Sequence, residues 1–138
     1  MIKPAILVNL NRCTGCWTCS TACKVAYQLK EDKWWHYVRT IGSGAGVDEP
    51  AGEWPNVHMS WMPVYTSECI LCVKRTRDGL EPYCTYNCPA KALTYGDLND
   101  PNSPVSVRMR ELKGKGYSIF QLPVWERTRS EIHYAERR

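Results

Sequence analysis

Hydrophobic and polar positions along the chain predict short elements separated by long polar connections. Ala5 to Leu10 is a nearly continuous apolar run ended by asparagines, which predicts a short buried strand. Ser20 to Leu29 has helical character, and Trp34, Trp35, Tyr37 and Val38 suggest a second strand. Gly42 to Gly52 reads as a flexible surface loop, and the partial alternation of Val57 to Met62 returns to strand before Pro63. Val73 to Pro82 is a basic loop with a turn at Gly79. Pro89 opens a turn or two of helix through Leu93, and Thr94 to Gly96 is extended. After the turn cluster Gly96 to Asn102, Ser103 is a candidate N-cap with Pro104 at the first helical position of a helix reaching Leu112. Tyr117 to Trp125 suggests a last strand. Arg127 to Arg138 is rich in arginine and poor in apolar anchors, so it reads as a tail that binds a partner.

The cysteines change this picture. Cys13, Cys16, Cys19 and Cys23 form a C-x2-C-x2-C-x3-C run, the ligand spacing of bacterial iron-sulfur clusters. Three thiolates at intervals of three cannot converge from a regular strand or helix, so the backbone must loop around its guest. In the two-cluster pattern the fourth cysteine serves the other cluster, which requires a second set. Cys69, Cys72, Cys84 and Cys88, the last followed by Pro89, supply it and use up the eight cysteines of the chain. The crosswise assignment is Cys13, Cys16, Cys19 and Cys88 for cluster 1, and Cys69, Cys72, Cys84 and Cys23 for cluster 2. Two four-cysteine zinc sites are the main competing reading, but structural zinc favours paired-cysteine knuckles divided by a spacer, and Cys13 to Cys23 has no such division. Disulfides at these intervals would be short and strained.

Composition adds less. The formal net charge of +4 would be offset by two anionic clusters, so a nucleic-acid footprint is not implied. Six Trp and eight Tyr against one Phe suggest that several aromatic rings lie under a partner protein. No run of about eighteen apolar residues is present to span a membrane. The N-terminus carries no secretory pattern, which points to the cytoplasm unless a signal-bearing partner exports the chain. His36, His58 and His133 sit at no metal-ligand spacing and read as structural. No catalytic constellation stands out.

From Cys69 to Ser103 the chain carries the string C-x2-C-x2-R-x3-G-x2-P-x-C-x3-C-P-x2-A-L, followed by Gly96-Asp97-Leu98-Asn99-Asp100-Pro101 and Ser103. This resembles the last cysteine motif of the iron-sulfur subunits of the dimethyl sulfoxide reductase family, the electron-transfer partners of molybdopterin enzymes. Cys13 to Cys23 with Lys24 is similar to that family's first motif, and Arg39 to Trp61 more loosely resembles its linker. Family members usually carry four motifs. Here the middle pair is absent, and the two that remain are the pair that exchange ligands.

The resemblance implies an α+β, ferredoxin-like dicluster domain over residues 1–112, with a loop insertion at about 39–62 and a C-terminal extension over 113–138 packing on a partner. It implies two [4Fe-4S] clusters, no catalysis by the chain itself, a large molybdenum- or tungsten-pterin catalytic subunit as partner, and an external electron donor or acceptor. A free-standing dicluster ferredoxin and a zinc-stabilised binding module are the alternatives.

Overall fold

The structure, a computed structural model, describes residues 3–41, 50–123 and 131–137. The described elements, in chain order, are β1 (Pro4–Asn9), α1 (Thr18–Ala26), β2 (His36–Thr40), β3 (Trp61–Tyr65), α2 (Val73–Arg77), α3 (Tyr83–Asn87), β4 (Leu93–Asp97), α4 (Pro104–Gly114), β5 (Ser118–Phe120) and β6 (Ile132–Glu136). They form a mixed α+β architecture with a four-stranded sheet in the order β4-β1-β6-β5 and a two-stranded sheet of β2 and β3.

The continuous apolar run makes β1 an inner strand. It pairs antiparallel with β4, from Pro4↔Asp97 to Val8↔Leu93, and parallel with β6, from Ile6↔Ile132 to Asn9↔Ala135. Because successive side chains point to opposite faces, β1 serves two cores. Ala5 and Leu7 pack with Val105, Leu112 and Ala135 beneath α4. Ile6, Val8 and Leu10 pack with Cys19, Cys69 and Cys84 on the other face. One face of the sheet is thus covered by a helix, the other by a layer that contains the cysteines.

α4 begins where Ser103 and Pro104 predict. The Ser103 hydroxyl does not cap the helix; it accepts a hydrogen bond from the Asp97 backbone N–H at 2.7 Å, joining the start of α4 to the end of β4. Gly96 makes that close approach feasible, since a Cβ there would run into Ser103 and Val105.

Several elements differ from the sequence reading. The stretch 132–136, expected as part of a partner-bound tail, is β6, between β1 and β5, and β5 (Ser118–Phe120) pairs antiparallel with it. Ile132 and Tyr134 face the cysteine layer, and the Tyr134 hydroxyl donates to the Pro63 carbonyl at 2.6 Å. Asn11 also clasps the backbone of Arg137, donating to its carbonyl at 2.9 Å and accepting from its N–H at 3.0 Å. The alternation Ile132-His133-Tyr134 was there to be read, but flanking arginines masked it. Arg127, Arg129, Arg138 and most of the Gly42–Gly52 loop lie outside the described residues.

The basic segment contains the short helix α2. Its Arg75 donates to the Glu81 carbonyl at 2.8 Å and stacks its guanidinium 4.2 Å over the Tyr83 ring. The helix expected after Pro89 lies instead before Cys88, as α3, and 88–92 is irregular, with Lys91 at φ 54°. β3 runs through Pro63, which a two-stranded sheet tolerates because, among the described residues, one side of each strand lacks a neighbouring strand.

Much of the aromatic content packs internally. Trp17 meets Trp34 edge-on at 5.4 Å, and Tyr27 contacts both Trp35 and Tyr83. Trp54 and Tyr86 are exposed.

Candidate metal centre

The first cysteine loop leaves β1 through a turn in which Asn9 accepts from the Arg12 and Asn11 N–H groups. Gly15 then takes φ +71°, and its Cα lies so close to the Trp61 indole that a side-chain Cβ would fall within 2.6 Å of the ring. Trp17, at φ 63°, turns the chain into α1. The helix starts earlier than its sequence suggests, so Cys19 as well as Cys23 belongs to it. One helical turn apart on the buried face of α1, these two sulfurs go to different groups.

Cys13, Cys16 and Cys19 line one cavity with Cys88, against Trp17, Val38 and Pro63. Cys23 lies instead within electrostatic reach of Cys69, Cys72 and Cys84. Cys72, at φ 50°, follows Leu71 at φ 55°, so this second loop also curls its backbone around its sulfurs. All eight thiols are free of disulfides. Among the described residues, no three or more His, Cys, Asp or Glu side chains gather tightly enough to hold a single metal ion.

The two groups differ in exposure. Cys16 is exposed and Cys13 and Cys88 are half-buried, whereas Cys23, Cys69, Cys72 and Cys84 are all buried. Burial pushes the thiols of Cys19, Cys23 and Cys84 up to about 12, with neighbouring sulfurs adding to the rise. Burial also raises Cys13. Cys16 moves the other way, drawn down by the Thr18 hydroxyl, which donates to its sulfur at 3.3 Å. A protein interior that crowds protonated sulfurs in this way gains if a cationic guest displaces the protons.

The surroundings suit sulfur that carries negative charge. Backbone N–H groups of Leu71 and Ala92 donate to Cys69 and Cys88, each at 3.4 Å. The Tyr65 hydroxyl donates to Cys84 at 3.3 Å, and His36 Nε2 lies 3.6 Å from Cys19 Sγ. The Tyr27 hydroxyl is held protonated by burial and by Cys72. An all-sulfur donor set with N–H and O–H groups aimed at it fits an iron-sulfur cluster. None of His36, Tyr65 and Tyr27 carries a sequence signal, because each reaches its sulfur through tertiary packing. Burial drives the His36 imidazole down to about 3.

Lys24 closes the other end of α1. Its ammonium donates to the carbonyls of Lys30, Glu31 and Lys33 and sits 4.3 Å over the Trp34 ring, which turns the chain towards β2.

Known proteins similar to this chain include iron-sulfur subunits. Over 106 residues, 75% of this chain, it is 31% identical to a Halobacterium salinarum protein whose name assigns it provisionally as an iron-sulfur subunit of dimethyl sulfoxide reductase. Over 96% of this chain, it is 30% identical to a subunit of the sulfite dehydrogenase of Allochromatium vinosum. The chain is a relative of the iron-sulfur subunits of oxidoreductases. A third relative, ArrB, the iron-sulfur subunit of a Shewanella arsenate respiratory reductase, is 29% identical over 84% of this chain. This relative of iron-sulfur subunits spans 35%, 44% and 61% of the lengths of those three proteins. No protein-family model matches it. Among its described residues, no helix is long and apolar enough to cross a membrane.

Proposed function

We propose that this chain is a non-catalytic electron-transfer subunit with two [4Fe-4S] clusters in a ferredoxin-like, dicluster arrangement. Cys13, Cys16, Cys19 and Cys88 hold cluster 1, and Cys69, Cys72, Cys84 and Cys23 hold cluster 2. It relays single electrons between a large catalytic subunit with a molybdenum or tungsten pterin and an external donor or acceptor. It works in the cytoplasm or is exported with a signal-bearing partner. The observation that carries this reading is the exchange of neighbours across the chain: Cys88 lines the cavity of the first run, while Cys23 faces the second.

Bound clusters of this kind supply one-electron redox chemistry, and the protein contributes spacing, potential and docking. α1 fixes the spacing, because its buried face hands one sulfur to each group. The N–H and O–H donors on the sulfurs favour the more reduced state. The cysteine layer that packs on β1 then has the clusters as part of its interior, so loading and folding are coupled.

The test is anaerobic isolation with metal and sulfide analysis. About eight irons and about eight inorganic sulfides per chain, with two cluster signals in the reduced protein, are expected. A colourless protein with zinc and no iron would overturn the reading. Co-purification of a large pterin-containing subunit is expected; a stable, iron-loaded monomer without one favours the free-standing ferredoxin.

A further inference from the structure

His36 and Tyr65 belong to the small sheet, outside both cysteine motifs. They are directly opposite each other on β2 and β3. Their rings stack at 4.0 Å between centroids with 16° between planes, and each residue is 1% exposed. One ring ends at Cys19 Sγ, from His36 Nε2 at 3.6 Å, and the other at Cys84 Sγ, from the Tyr65 hydroxyl at 3.3 Å. Cys19 lines the first cavity and Cys84 neighbours Cys23 and Cys72, so the stacked pair reaches from one sulfur group to the other.

Packing alone does not account for the histidine. Its Nδ1 is buried and has no hydrogen-bond partner among the described residues, which costs free energy that an apolar ring of similar size would avoid. Nε2 is therefore the nitrogen placed to carry the ring proton and donate it. A metal-bound thiolate has no proton of its own and can only accept.

We infer that the His36–Tyr65 stack is a two-ended donor bridge that tunes both clusters, His36 through Cys19 and Tyr65 through Cys84. The inference rests on the two-cluster reading above. Both are positioning residues, since they act through ligand sulfurs. A hydrogen bond to a ligand sulfur stabilises the reduced, more negative state, so each donor raises the potential of its own cluster.

The test uses the full chain with its clusters, together with any catalytic partner that co-purifies. Iron is counted first, and the two potentials are then read by titration monitored with electron paramagnetic resonance. Wild-type protein without iron would overturn the two-cluster reading itself. With iron in place, Tyr65→Phe, which removes one hydroxyl and keeps the ring, lowers the cluster 2 potential and leaves cluster 1 unchanged. His36→Phe lowers cluster 1, and His36→Gln, whose amide N–H replaces Nε2–H, restores it in part. Each loss is expected to be roughly three- to tenfold in the reduction equilibrium; tenfold corresponds to about 59 mV for one electron. Unchanged potentials in iron-loaded Tyr65→Phe and His36→Phe would overturn the bridge. If a variant loses its clusters, the wild type labelled with ¹⁵N-histidine decides: a nitrogen coupling to cluster 1 is expected, and its absence would overturn the role of His36.

Discussion

The two cysteine groups are alike in number of sulfurs and unlike in setting. The first opens to the surface at Cys16, with Cys13 and Cys88 half-buried beside it, and one of its thiols is drawn down by a hydroxyl. The second is buried throughout, between α1, α3 and the sheet, with two of its thiols pushed up to about 12. The difference separates two tasks. A guest in the first group is near the surface, where, on the proposed reading, a partner would exchange electrons with it. A guest in the second is part of the interior, and its removal leaves bare thiols in the core.

The largest expected effect is therefore asymmetric. Cys84→Ala removes a sulfur from the buried group and, on the proposed two-cluster reading, should lose cluster 2 together with much of the cooperative fold. Cys16→Ser, at the exposed edge, should lose cluster 1 while the sheet persists. Iron content and circular dichroism on the two variants check this, and equal loss of structure in both would erase the contrast.

A second effect should disturb only the first group. Gly15→Ala forces a side chain into a left-handed conformation and towards the Trp61 ring. The backbone term alone is about 1–2 kcal/mol. We expect lower iron occupancy of cluster 1 and faster loss of that cluster to a chelator, with cluster 2 retained, as followed by spectroscopy during the challenge.

Acidity sets the two groups further apart. A raised thiol pKa means that loading must displace a proton at neutral pH, so affinity increases with pH, and for a thiol at about 12 it keeps increasing beyond the ordinary thiol value of 9.0. The second group holds two thiols at about 12, Cys23 and Cys84; the first holds one, Cys19, with Cys13 raised and Cys16 lowered. Iron incorporation between about pH 7 and 9 should climb more steeply for the second group. Reconstitution of the wild-type chain at a series of pH values, with the two cluster signals followed separately, measures both groups.

The smallest effect lies away from both groups and serves as a control. His133, on β6, has its pKa lowered by burial, with Lys3 and Lys113 adding to the effect. Its contribution to stability is therefore present above the ordinary value of 6.5 and is lost as pH falls below it. His133→Gln should flatten that part of the acid unfolding curve without moving either cluster potential.

How much was legible depended on whether a feature was local. β1 follows from an apolar run, α4 from Ser103 and Pro104, and the two sulfur motifs from fixed spacing. The helices α2 and α3 are too short for periodicity to declare them. β6 was hidden because a five-residue alternation among arginines becomes a strand only by pairing with one more than a hundred residues earlier.

Residue order alone set the chemistry on offer: eight thiolates in two motifs, a buried strand to carry the first of them, and a resemblance to subunits that hold iron and sulfur. The folded chain decided which sulfurs became neighbours, which group faced water, and that a histidine and a tyrosine from a separate sheet would end on one sulfur of each group. Spacing along a chain limits which side chains are able to converge locally. Pairing, burial and hydrogen bonding between distant segments depend on how the whole chain closes, and no short stretch encodes that.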